Sequence, residues 1–276
     1  MRTVKLHCPQ MIDRLRLPFA FDPVALQADL AVLSAEGWLP HFNRGSYDGD
    51  WSGLVLRGPA WGDGLYPNGA DVEDKPLLAI CPAFRAVMAA FRCPLQAVRL
   101  LRLGPGAVIR EHRDYDLDHR HGDVRIHVPV RTNPYVAFHV RNRRVDMAEG
   151  ETWYLDLSQP HRVVNAGATD RIHLVIDATV NDWLRDLIPF DAPDPFRHTP
   201  PADLNPDAAT AALERFRLLV DARPDLHAVL RDIADRDLFA EETIRLGAEH
   251  GFLFTGREVA EASARERRRW NDRWMA

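Results

Sequence analysis

The sequence is short of several things, and each shortage removes a class of protein. Of its 276 residues only three are cysteine, Cys8, Cys81 and Cys93, an odd number at irregular spacings. That fits a reducing compartment better than a disulfide framework or a zinc site. No apolar run approaches the roughly 18 residues that a membrane-spanning helix needs; the longest, Leu77 to Phe84, stops at Arg85. The opening MRTVKLHCPQMIDRLR places Lys5, Asp13 and Arg14 where a secretory signal requires an apolar core, so the expected location is the cytoplasm, away from membranes. Lysine is scarce: Lys5 and Lys75 are the only two among 35 basic residues. The arginines are interleaved with acids, the net charge is −5, and no basic stripe suited to nucleic acid results. One cluster, Arg265 with Arg267, Arg268 and Arg269, falls in a terminal helical pattern and reads as a solvated face. Glycine and proline, 16 and 20 residues, are too few for a low-complexity chain. What the chain does have is 46% apolar residues against 27% charged, enough for a large core, and disorder is excluded as its dominant state.

Punctuation and period give the organisation. Asp22 as N-cap, Pro23 at the first helical position and Gly37 beyond the end mark a first helix, with Leu26, Leu30 and Leu33 as its buried stripe. From about residue 53 the period becomes two. GLVLRG, QAVRLLRL, AVIREH, DVRIHVPV, YVAFHV, ETWYLDL, HRVVN and DRIHLVID read as short strands, several bounded by Gly, Pro or Asn. With no helical pattern between residues 96 and 178, the expected architecture is mainly β: an antiparallel double-sheet jelly roll or a barrel. Six prolines between 189 and 207 suit neither a helix nor a central strand and read as a linker. Beyond it, Leu213, Phe216 and Leu219, then Leu226, Val229, Leu230 and Ile233, have helical spacing, a third helix runs from about Phe239 to Glu249, and Thr255 with Glu258 forms a capping box. The expected domains are therefore a β domain over 1–188, a linker over 189–207 and a small helical bundle over 208–276.

The candidate chemistry lies in the β domain. His112 and Asp114 follow a Gly-Pro-Gly turn and an apolar segment, and two residues apart on extended chain they point to one side and can grip one ion. The leading third ligand is His161, 49 residues later and just after the turn-forming Gln159-Pro160. Two imidazoles and a carboxylate on one face of an octahedron leave the other face open, which suits a non-haem Fe(II) oxygenase. In DRIHLVID, alternation sets Arg171, His173 and Val175 on one face and Ile172, Leu174 and Ile176 on the other. An inward guanidinium needs an anion, and a dicarboxylic acid bound to the metal at one end and to Arg171 at the other satisfies both. Arg125 and His127 share a face of DVRIHVPV; His127 is placed for the same cosubstrate and Arg125 for a carboxylate of the substrate.

These residues carry a resemblance. WLPHFNRGSYDGDW at 38–51, RLLRLGPGAVIREHRDYD at 99–116, RIHVPV at 125–130 and GETWYLDLSQPHRVVNAGATDRIHLVID at 150–177 resemble the aspartyl/asparaginyl β-hydroxylase family of Fe(II)- and 2-oxoglutarate-dependent dioxygenases, which includes bacterial proline hydroxylases. The resemblance covers Trp38 to Trp183. It implies a double-stranded β-helix of cupin-like jelly-roll type, metal ligands at His112, Asp114 and His161, Arg171 for 2-oxoglutarate, and His127 as a second cosubstrate contact. It also implies the reaction: O2 and 2-oxoglutarate are consumed, succinate is released, and a carbon of an amino acid is hydroxylated, proline-like or Asp or Asn, free or in a peptide. One branch of the family lacks the carboxylate ligand and uses a serine on the cosubstrate; here Asp114 completes the triad and Leu101 stands in the serine's place.

Other readings stand beside this one. His121 and Asp123 repeat the His-x-Asp pattern in a charged loop and read as a solvated turn. Arg171 as an ion-pair partner of Asp156 or Asp170, and His173 and His139 as core histidines, are the structural alternatives. His41, Asn43 and Trp51 either close the barrel or line the substrate side; Trp153 and Asn165 divide similarly between packing and site. A cupin-like metal-binding or sensing module without turnover, its helical tail docking a peptide, is the competing function, and a zinc-dependent hydrolase or isomerase on the same barrel is a third. The tail itself either covers a sheet or, through LERFRLLVDARPDLHAVLRDI and GFLFTGREVAEA, resembles the small helical leader domain, named from nitrogen-fixation operons, of ribosomal peptide precursors. That resemblance implies peptide docking.

Overall fold

The structure, a computed structural model, describes residues 12–33, 37–60, 71–114, 117–190, 204–231, 233 and 236–275, with only the backbone at 237 and 266–275. Cys8, most of the proline-rich segment and the side chains of Arg267 to Arg269 lie outside the described residues. The chain divides into two compact units, Met1–Asp194 and Pro195–Ala276.

The first unit opens with β1 (Arg14–Ala20), α1 (Pro23–Leu33), β2 (Leu39–Pro40), β3 (Tyr47–Asp48), β4 (Trp51–Pro59), β5 (Val72–Asp74) and α2 (Pro82–Ala89). It continues with β6 (Leu95–Leu103), β7 (Val108–His112), β8 (Asp123–Arg131), β9 (Val136–Val140) and β10 (Arg143–Arg144). It closes with β11 (Glu151–Leu155), β12 (His161–Asn165), β13 (Arg171–Thr179) and α3 (Asp182–Leu187). An eight-stranded sheet runs β1-β11-β8-β13-β6-β4-β2, with β5 on β4, and a five-stranded sheet runs β10-β9-β12-β7-β3. All pairings are antiparallel. This is the expected double-sheet jelly roll.

Alternation along the strands separates two cores. Ile126, Val128, Leu174 and Ile176 face outward from the large sheet and are covered by Leu26 and Leu30 of α1 and by Phe84 and Val87 of α2. Leu103, Ile109, Phe138, Val140, Leu155 and Val163 fill the space between the sheets. Asp22 caps α1 as read, accepting from the Val24 N–H at 2.9 Å. Asp29, buried in that helix, accepts the Phe84 N–H of α2 at 2.9 Å and ties the two helices together. Sequence reasoning assigned neither β1 nor α2. β1 pairs with β11, and Arg14 within it donates to the carbonyls of Val140 and Arg143 at 2.9 and 3.1 Å, joining the large sheet to the small one.

The second unit holds α4 (Pro206–Ala222), α5 (Pro224–Arg231), α6 (Arg236–Glu249) and α7 (Gly256–Met275). Leu213, Phe216, Leu226, Leu230, Leu246 and Phe254 form its core, whereas Val229, which shares the helical spacing of Leu226 and Leu230, is exposed. The capping box forms: the Thr255 N–H donates to Glu258 at 2.9 Å, and the Thr255 hydroxyl accepts the Arg257 N–H at 3.2 Å.

Candidate active site

The Gly-Pro-Gly turn sets the first two candidate ligands. Gly106, at φ 72°, holds left-handed backbone that favours glycine. Its N–H donates to the Asn165 carbonyl at 2.8 Å, and the Asn165 N–H donates to Ala107 at 3.0 Å. The reversal starts β7, which ends on His112, and the Asp114 N–H is then fixed on the Leu157 carbonyl at 2.9 Å. β12 begins at His161, which is the register partner of His112. One ligand atom from each of His112, Asp114 and His161 lies within 4.8 Å of the others, the imidazole centroids are 4.2 Å apart, and His112 Nε2 is 3.6 Å from Asp114 Oδ1.

The backbone also sets the tautomers. His112 Nδ1 is 2.8 Å from the Arg110 carbonyl and His161 Nδ1 is 3.0 Å from the Gln159 carbonyl. A carbonyl only accepts, so each Nδ1 carries the proton and each Nε2 keeps a lone pair for an ion. Burial pushes His161 down to about 4, against the opposing pull of Asp114, so at neutral pH it is an uncharged ligand. Two imidazoles and a carboxylate, with no thiolate, form a donor set that fits a ferrous ion.

Arg171 is 2% exposed. Its Nη2 lies 2.9 Å from His173 Nδ1, and its Nε has no partner. Among the described residues no carboxylate pairs with it. Asp156, the proposed structural partner, instead accepts from the Ser158 hydroxyl and from Gln159. Burial lowers Arg171 to about 9, which leaves it cationic at pH 7. A guanidinium shut away from water without a counter-ion marks a place for an anion. Beside it His127, buried, has neither ring nitrogen bonded, and burial together with the Arg171 charge keeps it neutral. The Arg171 guanidinium lies 5.5 Å from the Phe138 ring centroid, His127 sits edge-on to that ring at 5.6 Å, and His161 is parallel to it at 6.4 Å. The anion place and the ligand set therefore border one aromatic ring.

His41, Asn43 and Trp51 line the same cleft, of about 350 Å³, as these groups. His41 stacks on Trp51 with centroids 3.5 Å apart, burial pushes it down to about 3, and the Trp51 indole N–H is buried without an acceptor. Arg125 differs from expectation. It lines the cleft, but its donors are committed: Nε and Nη2 to Asp177 at 2.6 and 3.0 Å, and Nη1 to Asp114 at 2.5 Å. It is not a free guanidinium waiting for a substrate carboxylate. Asp177 and its second partner Arg99 are among the site-lining residues that sequence reasoning missed, as are Gln96 and Phe138. The signal for Asp177 was present, since the alternation through 171, 173 and 175 continues to 177.

The alternatives separate cleanly. His121 is held by Asp118 at 2.9 Å in a half-exposed turn. His139 lies between Phe138 and Val140, which enter the core between the sheets, so alternation turns it away. The Trp153 indole donates to Glu151 at 2.9 Å. Asn165, fully buried, donates to the carbonyls of Leu103, Gly104 and Thr169 and is a structural clasp.

The profile of the aspartyl/asparaginyl β-hydroxylase family matches residues 24–180, more than half of the sequence. The chain belongs to this family. An L-proline cis-4-hydroxylase of Rhizobium meliloti (strain 1021) is 29% identical over 163 residues, 57% of this chain and 57% of that protein. The chain thus spans little more than half the length of that curated relative. Among solved structures, a prolyl-4-hydroxylase of Pseudomonas putida aligns over 62% of this chain and 94% of its own, with TM-score 0.43 and 14% identity. HygX of Streptomyces hygroscopicus, solved with nickel and 2-oxoglutarate bound, aligns over 62% and 84%, with TM-score 0.39 and 14% identity. The matched family segment holds every candidate ligand and cleft residue named above and stops before the helical unit. No helix among the described residues is long and apolar enough to cross a membrane.

Proposed function

We propose that this chain is an Fe(II)- and 2-oxoglutarate-dependent hydroxylase acting on a carbon of an amino acid, proline-like or Asp or Asn, free or within a peptide. One observation carries the reading: a His-Asp-His ligand set and a buried, acid-free guanidinium border the same phenylalanine ring. Family membership and the proline hydroxylase relative support it.

Bound iron and 2-oxoglutarate, with O2, supply the oxidising chemistry. The chain's residues hold and enclose. His112 and His161 offer Nε2 and Asp114 one carboxylate oxygen to the metal. Arg171, braced by His173, takes the far carboxylate of 2-oxoglutarate through charge-assisted hydrogen bonds. His127 contributes a neutral ring nitrogen nearby. Leu101, Ile109 and Val163 give the cleft apolar wall, while His41, Asn43 and Trp51 face the substrate.

The test is incubation with Fe(II), ascorbate and 2-oxoglutarate in the presence of L-proline, L-aspartate, L-asparagine and short peptides containing them. The expected result is a product heavier by one oxygen, with succinate released in equal amount. His112→Ala abolishes it and His121→Ala does not. Slow consumption of 2-oxoglutarate that no candidate accelerates would count for a sensing module instead. Comparing free proline with prolyl peptides decides whether the helical unit, with its leader-domain resemblance, serves peptide docking.

A further inference from the structure

Asp177 is 2% exposed, yet it belongs to the wall of the cleft. It stands opposite Arg125 in the β13–β8 register, and Arg99 reaches it from β6. Its carboxylate accepts Nε and Nη2 of Arg125 and also Nη2 of Arg99. The remaining arm of Arg125, Nη1, goes to Asp114 Oδ2. Arg99, Asp177, Arg125 and Asp114 thus form one line of alternating charge that ends on a candidate ligand. Burying charges in this way is weak as a source of stability, because their desolvation offsets most of the attraction. A partner that holds a ligating carboxylate in one orientation is a recurrent feature of metal sites.

We infer that Arg125, fixed by Asp177 and Arg99, is a positioning residue for Asp114: it occupies Oδ2 and leaves Oδ1, the oxygen that faces His112 Nε2 at 3.6 Å, as the sole carboxylate donor to the metal. This rests on the reading of His112, Asp114 and His161 as the metal ligands. A carboxylate that bound through both oxygens would take up a coordination position that a chelating cosubstrate needs. The line of charge thereby sets how many positions stay open. The role differs from that of a substrate anchor, which would act on substrate affinity and leave metal affinity unchanged.

The test titrates Co(II) into the metal-free full chain and records affinity, the visible Co(II) spectrum with 2-oxoglutarate added, and the melting temperature before metal. Arg125→Gln and Asp177→Asn are expected to weaken Co(II) binding by about 10- to 100-fold and to shift the Co(II) spectrum. Arg125→Lys, which keeps the charge but loses the fork, is expected to recover part of both. Arg57→Gln, which breaks an ion pair to Asp74 away from the cleft, is expected to match the wild type. If Asp177→Asn does not fold, the Arg125 pair decides alone. Arg125 and Asp177 variants that bind Co(II) within about twofold of wild type with an unchanged spectrum overturn this inference alone. A wild type that takes up no Co(II) overturns it together with the metal site.

Discussion

Arg171 carries a charge that its protein surroundings do not neutralise, and that imbalance is measurable. Because burial lowers its pKa, the ligand-free fold bears a cost for keeping it ionised. Arg171→Met should therefore melt at the same temperature as wild type or higher without ligand. The wild type should gain about 2.7 kcal/mol from 2-oxoglutarate at a hundredfold excess over its dissociation constant, and the variant almost none; thermal melts of the Fe(II)-loaded protein under nitrogen check both. In turnover, Arg171→Gln should raise KM for 2-oxoglutarate by roughly 10- to 100-fold, the loss of charge-assisted hydrogen bonds worth about 1.5–3 kcal/mol. At this scale the sequence was informative wherever chemistry demands a rare combination. His112, Asp114, His161, Arg171 and His127 were all singled out, and all reach one cleft. Asp177 was legible in the continued alternation of its strand, but Arg99 was not, because its salt bridge to a position 78 residues away is visible only once β6 and β13 lie side by side.

Short-range pattern made most of the elements legible. The eight segments read as strands correspond to β4, β6, β7, β8, β9, β11, β12 and β13, since alternation is a local property. α2 was overlooked because the apolar run Leu77 to Phe84 straddles a 3-10 turn at Pro76–Ile80 and the start of the helix at Pro82, so neither period dominates. β1 was overlooked because the opening residues carry charges that find partners only across the fold. Two predictions belong to elements. Asn165→Ala would take the amide donor away from three carbonyls around the turn that launches β7, of which Gly104 and Thr169 keep a second donor, and should cost about 1–3 kcal/mol in urea unfolding, the range for one buried group left unsatisfied. Thr255→Ala removes the cap of α7 and should cost the helical unit about 1 kcal/mol, seen as faster amide hydrogen exchange in the first turn of that helix.

Five histidines of the β unit are held in their uncharged form. Burial is the largest cause lowering each of them: His41 to about 3, His139 and His161 to about 4, and His127 and His173 well below their ordinary value. Unfolded chains take up these protons near pH 6.5, the folded chain only near pH 4 or below, so stability must fall as pH drops through that window. Each such histidine steepens the fall by about 1.4 kcal/mol per pH unit. Asp177, held down to about 2 by its arginines despite burial, adds a second loss only below its unfolded value of 3.8. Urea midpoints of metal-free protein at pH 7.5, 6 and 5 should therefore decline before carboxylates titrate; a flat profile would contradict the burial of neutral imidazoles. His112 and His161 meet across two hydrogen-bonded strands, one from each arm of the small sheet's central pair. Threading those arms one residue out of step would turn either imidazole to the opposite side of the ribbon. If these residues hold iron as proposed, its retention would work as a checksum on the zipper: a misthreaded barrel would forfeit its ion, and a chain that kept it would have been assembled in step.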